Sequence, residues 1–264
     1  MASGFDVGAG LRRWRRRRSG PTSATSPQEF LDAYFASPEE KCVIQVGAND
    51  GIMCDPLRPY LAPGRGRSIR AVLIEPIPLY FEKLKDLYAD YPNISVLNVA
   101  CGAIAGTAPL YFIDPDVADQ MNGAGPANNW AHGQGSFDRN VVRYWIDRNK
   151  FRGDDYVRNI NRFYTSIRTI EVKVIRVADV ELSRSYRNLL LVIDVQGFEL
   201  EVVRGIDWRY PPAYVLVESD LMQAGPLDGY LGSKGYRYLC GQNDKVFAAT
   251  TRRASAWWGA LRDT

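Results

Sequence analysis

Histidine is almost missing from this chain: 264 residues hold one, His132. The four cysteines, Cys42, Cys54, Cys101 and Cys240, include no C-x-x-C pair. A tetrahedral Cys/His zinc site therefore has too few ligands at usable spacing, and no metal site is expected. Reduced thiols in a cytoplasmic protein are the plain reading, with Cys42 and Cys240 as small core residues inside apolar runs. Long apolar runs are lacking too. The richest, NLLLVIDV over Asn188–Val195, is strand length and falls short of the about 18 residues a membrane helix needs. No basic, aromatic-interleaved surface marks the body of the chain, so nucleic acid is not an expected partner.

Positive charge is concentrated. LRRWRRRR, Leu11–Arg18, carries six arginines, while the net charge of the whole chain is only +3. The body is therefore mildly acidic and the basicity belongs to an arm. No apolar stretch follows the arginines, so the arm is not read as a secretory signal. SGPTSATSP behind it has linker composition. The arm, residues 1–25, is read as a flexible solubilising segment. The sharper alternative is a weak contact of Arg12–Arg18 with anionic lipid head groups, with Trp14 at the interface.

A folded domain is expected over 26–250, with a tail over 251–264. SPQEFLDAYF opens it: Ser26 caps a helix, Pro27 takes the first turn, and Glu29 stands three residues after the cap. Short apolar runs then alternate with amphipathic segments. CVIQV (42–46), AVLIEP (71–76), NISVLNVA (93–100), NLLLVID (188–194) and AYVLVES (213–219) read as strands. LYFEKLKDLYADY and FELEVVRG read as helices, the first with Leu79, Tyr80, Leu84 and Leu87 on one face. GYRYLC and KVFAAT read as an antiparallel pair. Continuous apolar strands separated by helices imply a mostly parallel sheet covered on both faces. APLYFI (108–113) is expected to pair with TIEVKVI (169–175). The 55 residues between them, 114–168, are too long for an idle loop and suggest a lid or binding insert.

Three strand ends carry the chemistry. VGANDG, at the end of the first strand, spends glycines at Gly47 and Gly51 around Asn49 and Asp50. It reads G-x-N-x-G, not the dinucleotide G-x-G-x-x-G. Glycine permits close approaches that a Cβ forbids, so a ligand against the backbone is one reading and a bare tight turn the other. VLIEP places Glu75 at the next strand end, where a carboxylate accepts both hydroxyls of a ribose. NVACG follows: Val99 and Ala100 would flank an adenine ring, with Asn98 reading its edge. Together these describe an adenosine pocket without a phosphate loop.

LLLVIDVQGFELEVVRGID (189–207), following VGANDG and IEP, resembles the FkbM family of S-adenosylmethionine-dependent methyltransferases. That family commonly shows Asp-x-Glu-Gly-Phe/Tyr-Glu/Asp at this strand end; here it reads Asp194-Val195-Gln196-Gly197-Phe198-Glu199, with Gln196 in place of the commoner glutamate. DPLRPYL (55–61) and GYRYL (235–239) also fit the pattern. The resemblance implies a Rossmann-like class I methyltransferase: a seven-stranded, mostly parallel sheet with helices on both faces and an antiparallel C-terminal strand pair. It implies S-adenosylmethionine as cofactor and O-methylation of a sugar, glycan or related natural product. Gly47, Asn49, Asp50 and Gly51 would line the methionine part. Glu75, backed by Pro76, would hold the ribose. Asp194 would face the sulfonium, and Ser136 would touch cofactor or acceptor.

An alcohol needs a base at neutral pH, worth about 10²–10⁴-fold. The candidates are Asp194, His132 and Glu199. Each has a bland counterpart: Asp194 as a partner of the cofactor amino group or the next helix, His132 as an exposed loop residue, Glu199 as a first-turn acid. Asp194, Glu199 and Glu218 are also oxygen ligands near one edge, a minor case for a divalent metal. Aromatics of the insert (Trp130, Tyr144, Trp145, Tyr156, Phe163, Tyr164) suit sugar faces, and its arginines suit phosphate, unless the aromatics are simply the insert's own core. Two rival functions stand beside this reading. One is an NAD-dependent dehydrogenase, which needs a phosphate loop. The other is a non-catalytic module that binds S-adenosylmethionine or glycan, for which Gln196 is the only hint.

Overall fold

The computed structural model describes residues 21–61, 69–121, 130–149, 154–185, 188–219 and 224–250. The Arg12–Arg18 segment and the tail 251–264 lie outside the described residues. No described helix is long and apolar enough to cross a membrane.

Strands in chain order are β1 (Lys41–Val46), β2 (Ile69–Ile74), β3 (Ile94–Leu97), β4 (Ala100–Cys101), β5 (Gly106–Ile113), β6 (Gly135–Ser136), β7 (Ile167–Ile175), β8 (Leu189–Ile193), β9 (Tyr214–Glu218), β10 (Tyr236–Cys240) and β11 (Asp244–Ala249). The helices are α1 (Pro27–Ala36), α2 (Arg58–Leu61), α3 (Pro78–Leu87), α4 (Pro115–Met121), α5 (Arg139–Asn149), α6 (Asp154–Thr165), α7 (Leu182–Ser185), α8 (Glu199–Arg204) and α9 (Ala224–Ser233).

The main sheet has seven strands in the order β10-β11-β9-β8-β1-β2-β3. β3, β2, β1, β8 and β9 run parallel, and β11 is antiparallel to both β9 and β10. β1 and β8 are buried along their whole length; β8 is an unbroken apolar run, and β1 is apolar apart from the buried Lys41 and Gln45. One face packs on α1, α2 and α3 through Phe30, Tyr34, Tyr60 and Leu84. The other packs on α8 and α9 through Val202, Val203, Leu227 and Leu231.

Ser26 Oγ caps α1 by accepting the Glu29 N–H at 3.2 Å. The return half of the capping box is displaced by one residue: Glu29 accepts from Thr25 N–H and Oγ1 instead. The inner face of α3 is Tyr80 and Leu84, continued by Ile77 before it and Tyr88 after it, whereas Leu79 is exposed.

The third expected strand is broken. Ile94–Leu97 stays in the main sheet, but Ala100–Cys101 leaves it to pair with β7 in a second, four-stranded sheet of order β4-β7-β5-β6. β5 and β7 pair antiparallel over their full length, from Gly106↔Val174 to Ile113↔Ile167. The insert between them folds onto its own small core of Ile113, Ala118, Val142, Ile146 and Phe163. Of the insert aromatics, Phe163 belongs to that core and Tyr144 faces solvent. Tyr164 bonds Asp147.

Candidate active site

β1 is flanked by β2 on one side and β8 on the other, so the chain reverses direction across the sheet at the β1/β8 boundary. Open parallel sheets leave a crevice there, at the carboxyl ends of the strands. Here it is a cavity of about 710 Å³, running from Glu75 after β2, across Gly47 after β1, to Asp194 after β8 and Glu218 at the end of β9. That volume lies within the about 300–1,000 Å³ usual for small-molecule sites.

The glycine turn is shaped by the protein before any ligand. Gly47 has φ +84°, and a Cβ on it would lie 1.7 Å from the backbone oxygen of Asp194. The close approach its sequence announced is therefore to the neighbouring strand tip. Gly51 does not border the cavity: its Cβ would lie 2.6 Å from Leu84 Cδ1 on α3. Asp50 also turns away and accepts the N–H groups of Ile52 and Met53, each at 2.9 Å. Asn49, at φ +50°, stays on the cavity wall, and its Nδ2 donates to the His132 carbonyl at 3.2 Å.

Glu75 is buried on the cavity wall. Its Oε2 accepts the Asn49 N–H at 2.9 Å and its Oε1 the Ile77 N–H at 2.8 Å. The carboxylate thus locks the first strand tip to the second. A carboxylate has about four acceptor sites, so lone pairs are left for a diol. Burial pushes its pKa up to about 7, the two N–H bonds acting against that rise. Asn98 is not on the cavity; its Nδ2 donates to the carbonyls of Glu75 and Pro76 at 2.9 and 3.1 Å, holding that segment in place. Val99 packs into the main core instead of the cavity. Ala100, Ile77, Leu110 and Phe137 form an apolar slot beside Glu75.

At the other end, Gln196 Nε2 donates both to Asp194 Oδ1 and to Glu218 Oε2, each at 2.7 Å. The amide sits between two carboxylates, which explains glutamine here: a glutamate would bring three acids together. Burial raises Glu218 to about 10, and Asp194 adds to the rise. Glu218 therefore holds a proton at neutral pH. Ser136 lies outside the cavity and donates its hydroxyl to the Gln196 carbonyl at 2.8 Å, tying the insert to this loop. Glu199 is also off the cavity. It is buried, accepts the Gly197 N–H at 2.9 Å, and has a raised pKa chiefly from burial. This leaves it no access to an acceptor.

His132 is not an exposed loop residue; it is buried at the cavity edge. Its Nε2 lies 2.9 Å from Asp119 Oδ1 and its Nδ1 2.8 Å from the Tyr80 hydroxyl. An ionised carboxylate only accepts, so Nε2 carries a proton towards Asp119, while Nδ1 shares the other bond with the Tyr80 hydroxyl. Both ring nitrogens are thus engaged. Of the expected bases, only Asp194 presents a carboxylate to the cavity. Of the insert aromatics, Trp130 borders it. Tyr80, Gln45, Asp55 and Glu218 also line it; Gln45 was legible as the one polar residue inside CVIQV. Among the described residues no group of three His, Cys, Asp or Glu side chains is placed to hold a metal ion.

Strand order, reversal point and carboxyl-edge crevice define a Rossmann-like α/β protein of the class I methyltransferase type. The sequence matches the methyltransferase FkbM domain over residues 45–238, and the chain belongs to that family. Among solved structures, a methyltransferase FkbM from Methylobacillus flagellatus KT is 12% identical, with a TM-score of 0.46 over 92% of this chain and 60% of that one. The METTL16 MTase domain is 10% identical, with a TM-score of 0.37 over 84% of this chain and 64% of its own. A precorrin-6y C5,15-methyltransferase from Geobacter metallireducens GS-15 is 9% identical, with a TM-score of 0.38 over 86% and 94%. The chain spans less than two thirds of the first two. No curated protein sequence matches it significantly.

Proposed function

We propose that this chain is an S-adenosylmethionine-dependent O-methyltransferase acting on a hydroxyl of a sugar, glycan or related natural product. The observation that carries the cofactor assignment is the buried Glu75 carboxylate, fixed by two backbone N–H groups beside an apolar slot. A ribose diol suits the remaining lone pairs, and adenine suits Ile77, Ala100, Leu110 and Phe137. The dinucleotide alternative is disfavoured locally. The turn after β1 leads into no helix until α2, eleven residues past Gly47 and four residues long. A pyrophosphate has no helix N-terminus to sit on there.

The cofactor supplies a methyl group on a sulfonium, whose loss drives the reaction. The protein's work is alignment. Asp194 faces the cavity beyond Gly47, where its charge favours a cation and its free lone pairs accept the acceptor's hydroxyl proton. Gln196 orients it through the same amide that donates to Glu218. His132 and Tyr80, bonded to each other, act as wall rather than base. The insert segment 130–137 closes one side and keeps water from the transfer path.

Calorimetric titration with S-adenosylhomocysteine and with NAD tests this. The expected result is binding of the first alone, weakened at least about tenfold, or 1.4 kcal/mol, by Glu75→Ala. Binding of NAD instead, or indifference to Glu75→Ala, contradicts it.

A further inference from the structure

The cavity continues past the cofactor end. Beyond Gly47 it is walled by Gln28 and Leu31 of α1, Gln45 of β1, the Asp55 loop, and Leu216 and Glu218 of β9. Gln45 sits in the middle of the sheet, paired in register with Val192, and is only 4% exposed. Its Nε2 donates to Asp55 Oδ1 at 3.0 Å, and the same oxygen accepts the Leu57 N–H at 2.9 Å. One amide N–H of Gln45 and the Leu57 N–H thus both go to a single oxygen of Asp55. Gln45 Oε1, Asp55 Oδ2, Gln134 Oε1 and Gln196 Oε1, all on residues of the cavity wall, are left buried with no hydrogen-bond partner. Buried orphan acceptors are rare, so four on one cavity wall ask for donors from a ligand.

The charge of the wall narrows the donor. Asp55, Glu75, Asp194, Glu218 and Asp244 border the cavity, and among the described residues no lysine or arginine does. A phosphate or carboxylate entering here meets like charge on this wall. Burial raises Asp55 to about 6, so at pH 7–8 it is mostly ionised and both its oxygens accept. The site offers acceptors and asks for O–H groups.

We propose that the Gln45–Asp55 wing is the acceptor subsite, and that it takes an uncharged polyhydroxylated acceptor and rejects anionic ones such as sugar phosphates and uronates. Acceptor hydroxyls donate to Gln45 Oε1 and Asp55 Oδ2, which places a neighbouring hydroxyl against Asp194. This rests on the methyltransferase reading above and narrows its acceptor to an uncharged one. In the transfer the hydroxyl oxygen bonds the methyl carbon, the carbon–sulfur pair returns to sulfur, and the hydroxyl proton passes to Asp194.

The test incubates the protein with S-adenosylmethionine labelled in its methyl group and a small-molecule extract of the producing cells, then passes the products over an anion exchanger. Label in the unretained, uncharged fraction is expected; label chiefly in the retained, anionic fraction, or in an amine captured by cation exchange, overturns the proposal. Gln45→Leu removes the acceptor atom while keeping the volume. It is expected to lower transfer at limiting acceptor at least tenfold while S-adenosylhomocysteine affinity changes less than twofold. Asp55→Asn, which puts a donor in place of an acceptor, gives a second reading should the first variant fold poorly. Undiminished transfer by both variants overturns the proposal. The two readings fail separately: loss of S-adenosylhomocysteine binding in the unaltered protein removes the cofactor assignment and this one with it, whereas nucleoside binding with anionic product removes only the acceptor assignment.

Discussion

Gly47 and Gln196 carry the site for different reasons. Gly47 exists because two strand tips nearly touch: any Cβ meets the Asp194 carbonyl, and the residue also needs φ +84°. Gly47→Ala is expected to destabilise by at least ~3 kcal/mol, read as a fall in Tm of about 6–12 °C with S-adenosylhomocysteine binding lost. Gln196 serves Asp194 and Glu218 as a shared donor. Gln196→Glu replaces that donor with a third carboxylate. A Tm loss of about 2–6 °C at pH 8 is expected, shrinking towards pH 4.5 as the acids protonate. Adding Glu218→Gln restores one amide among two acids, so the double variant should recover most of the loss at pH 8; simple additivity would contradict this pairing. At this scale VGANDG was only half readable. Its glycines announce a close approach, but not that the partner is the backbone of a strand 147 positions away from Gly47.

Elements meet the site through two ties from the insert: Asn49 to the His132 carbonyl and Ser136 to the Gln196 carbonyl. The second pins β6 to the loop before α8. Ser136→Ala should raise amide exchange over 130–137 and 195–198 and lower turnover several-fold, while cofactor affinity holds; unchanged exchange would refute the tie. Hydrophobic pattern exposed β1, β2, β8 and β9 because the middle of each is a short apolar run inside the sheet, with β1 and β8 buried along their whole length. It did not expose the break at Asn98, since an apolar run does not say which sheet it joins. The departure of β4 into the second sheet is what places Ala100 at the cavity and Val99 in the core. His132 looked like a loose loop residue in NNWAHGQGSF, and only tertiary packing brings Tyr80 and Asp119 to its two nitrogens.

Across the whole molecule, the crevice stores unfavourable acidity. Glu75 and Glu218 have an ordinary value of 4.5 and are raised by burial to about 7 and about 10. Below pH 4.5 folded and unfolded chains both hold these protons, and the shifts contribute nothing. As pH climbs, the unfolded chain releases them first, so stability falls between 4.5 and each folded value. Glu218→Gln mimics the protonated form and should raise Tm by a few degrees at pH 9 while changing little at pH 4.5. Cofactor binding runs the other way. A diol donating to Glu75 favours the ionised carboxylate, so S-adenosylhomocysteine affinity should rise by up to about tenfold from pH 6 to pH 8, and Glu75→Gln should be weaker and flat. The family and the seven-stranded sheet follow from the resemblance carried by motifs at three strand ends, whereas the acidic wall does not, because its acids stand after β1, β2 and β8 and in β9 and β11 and meet only in the fold.

The most direct measurement is a crystal structure with S-adenosylhomocysteine bound. The ribose hydroxyls should sit within hydrogen-bond distance of Glu75, adenine between Ile77 and Phe137, and the thioether sulfur should face Asp194. A nucleoside lodged elsewhere, or a ribose turned away from Glu75, would contradict the account.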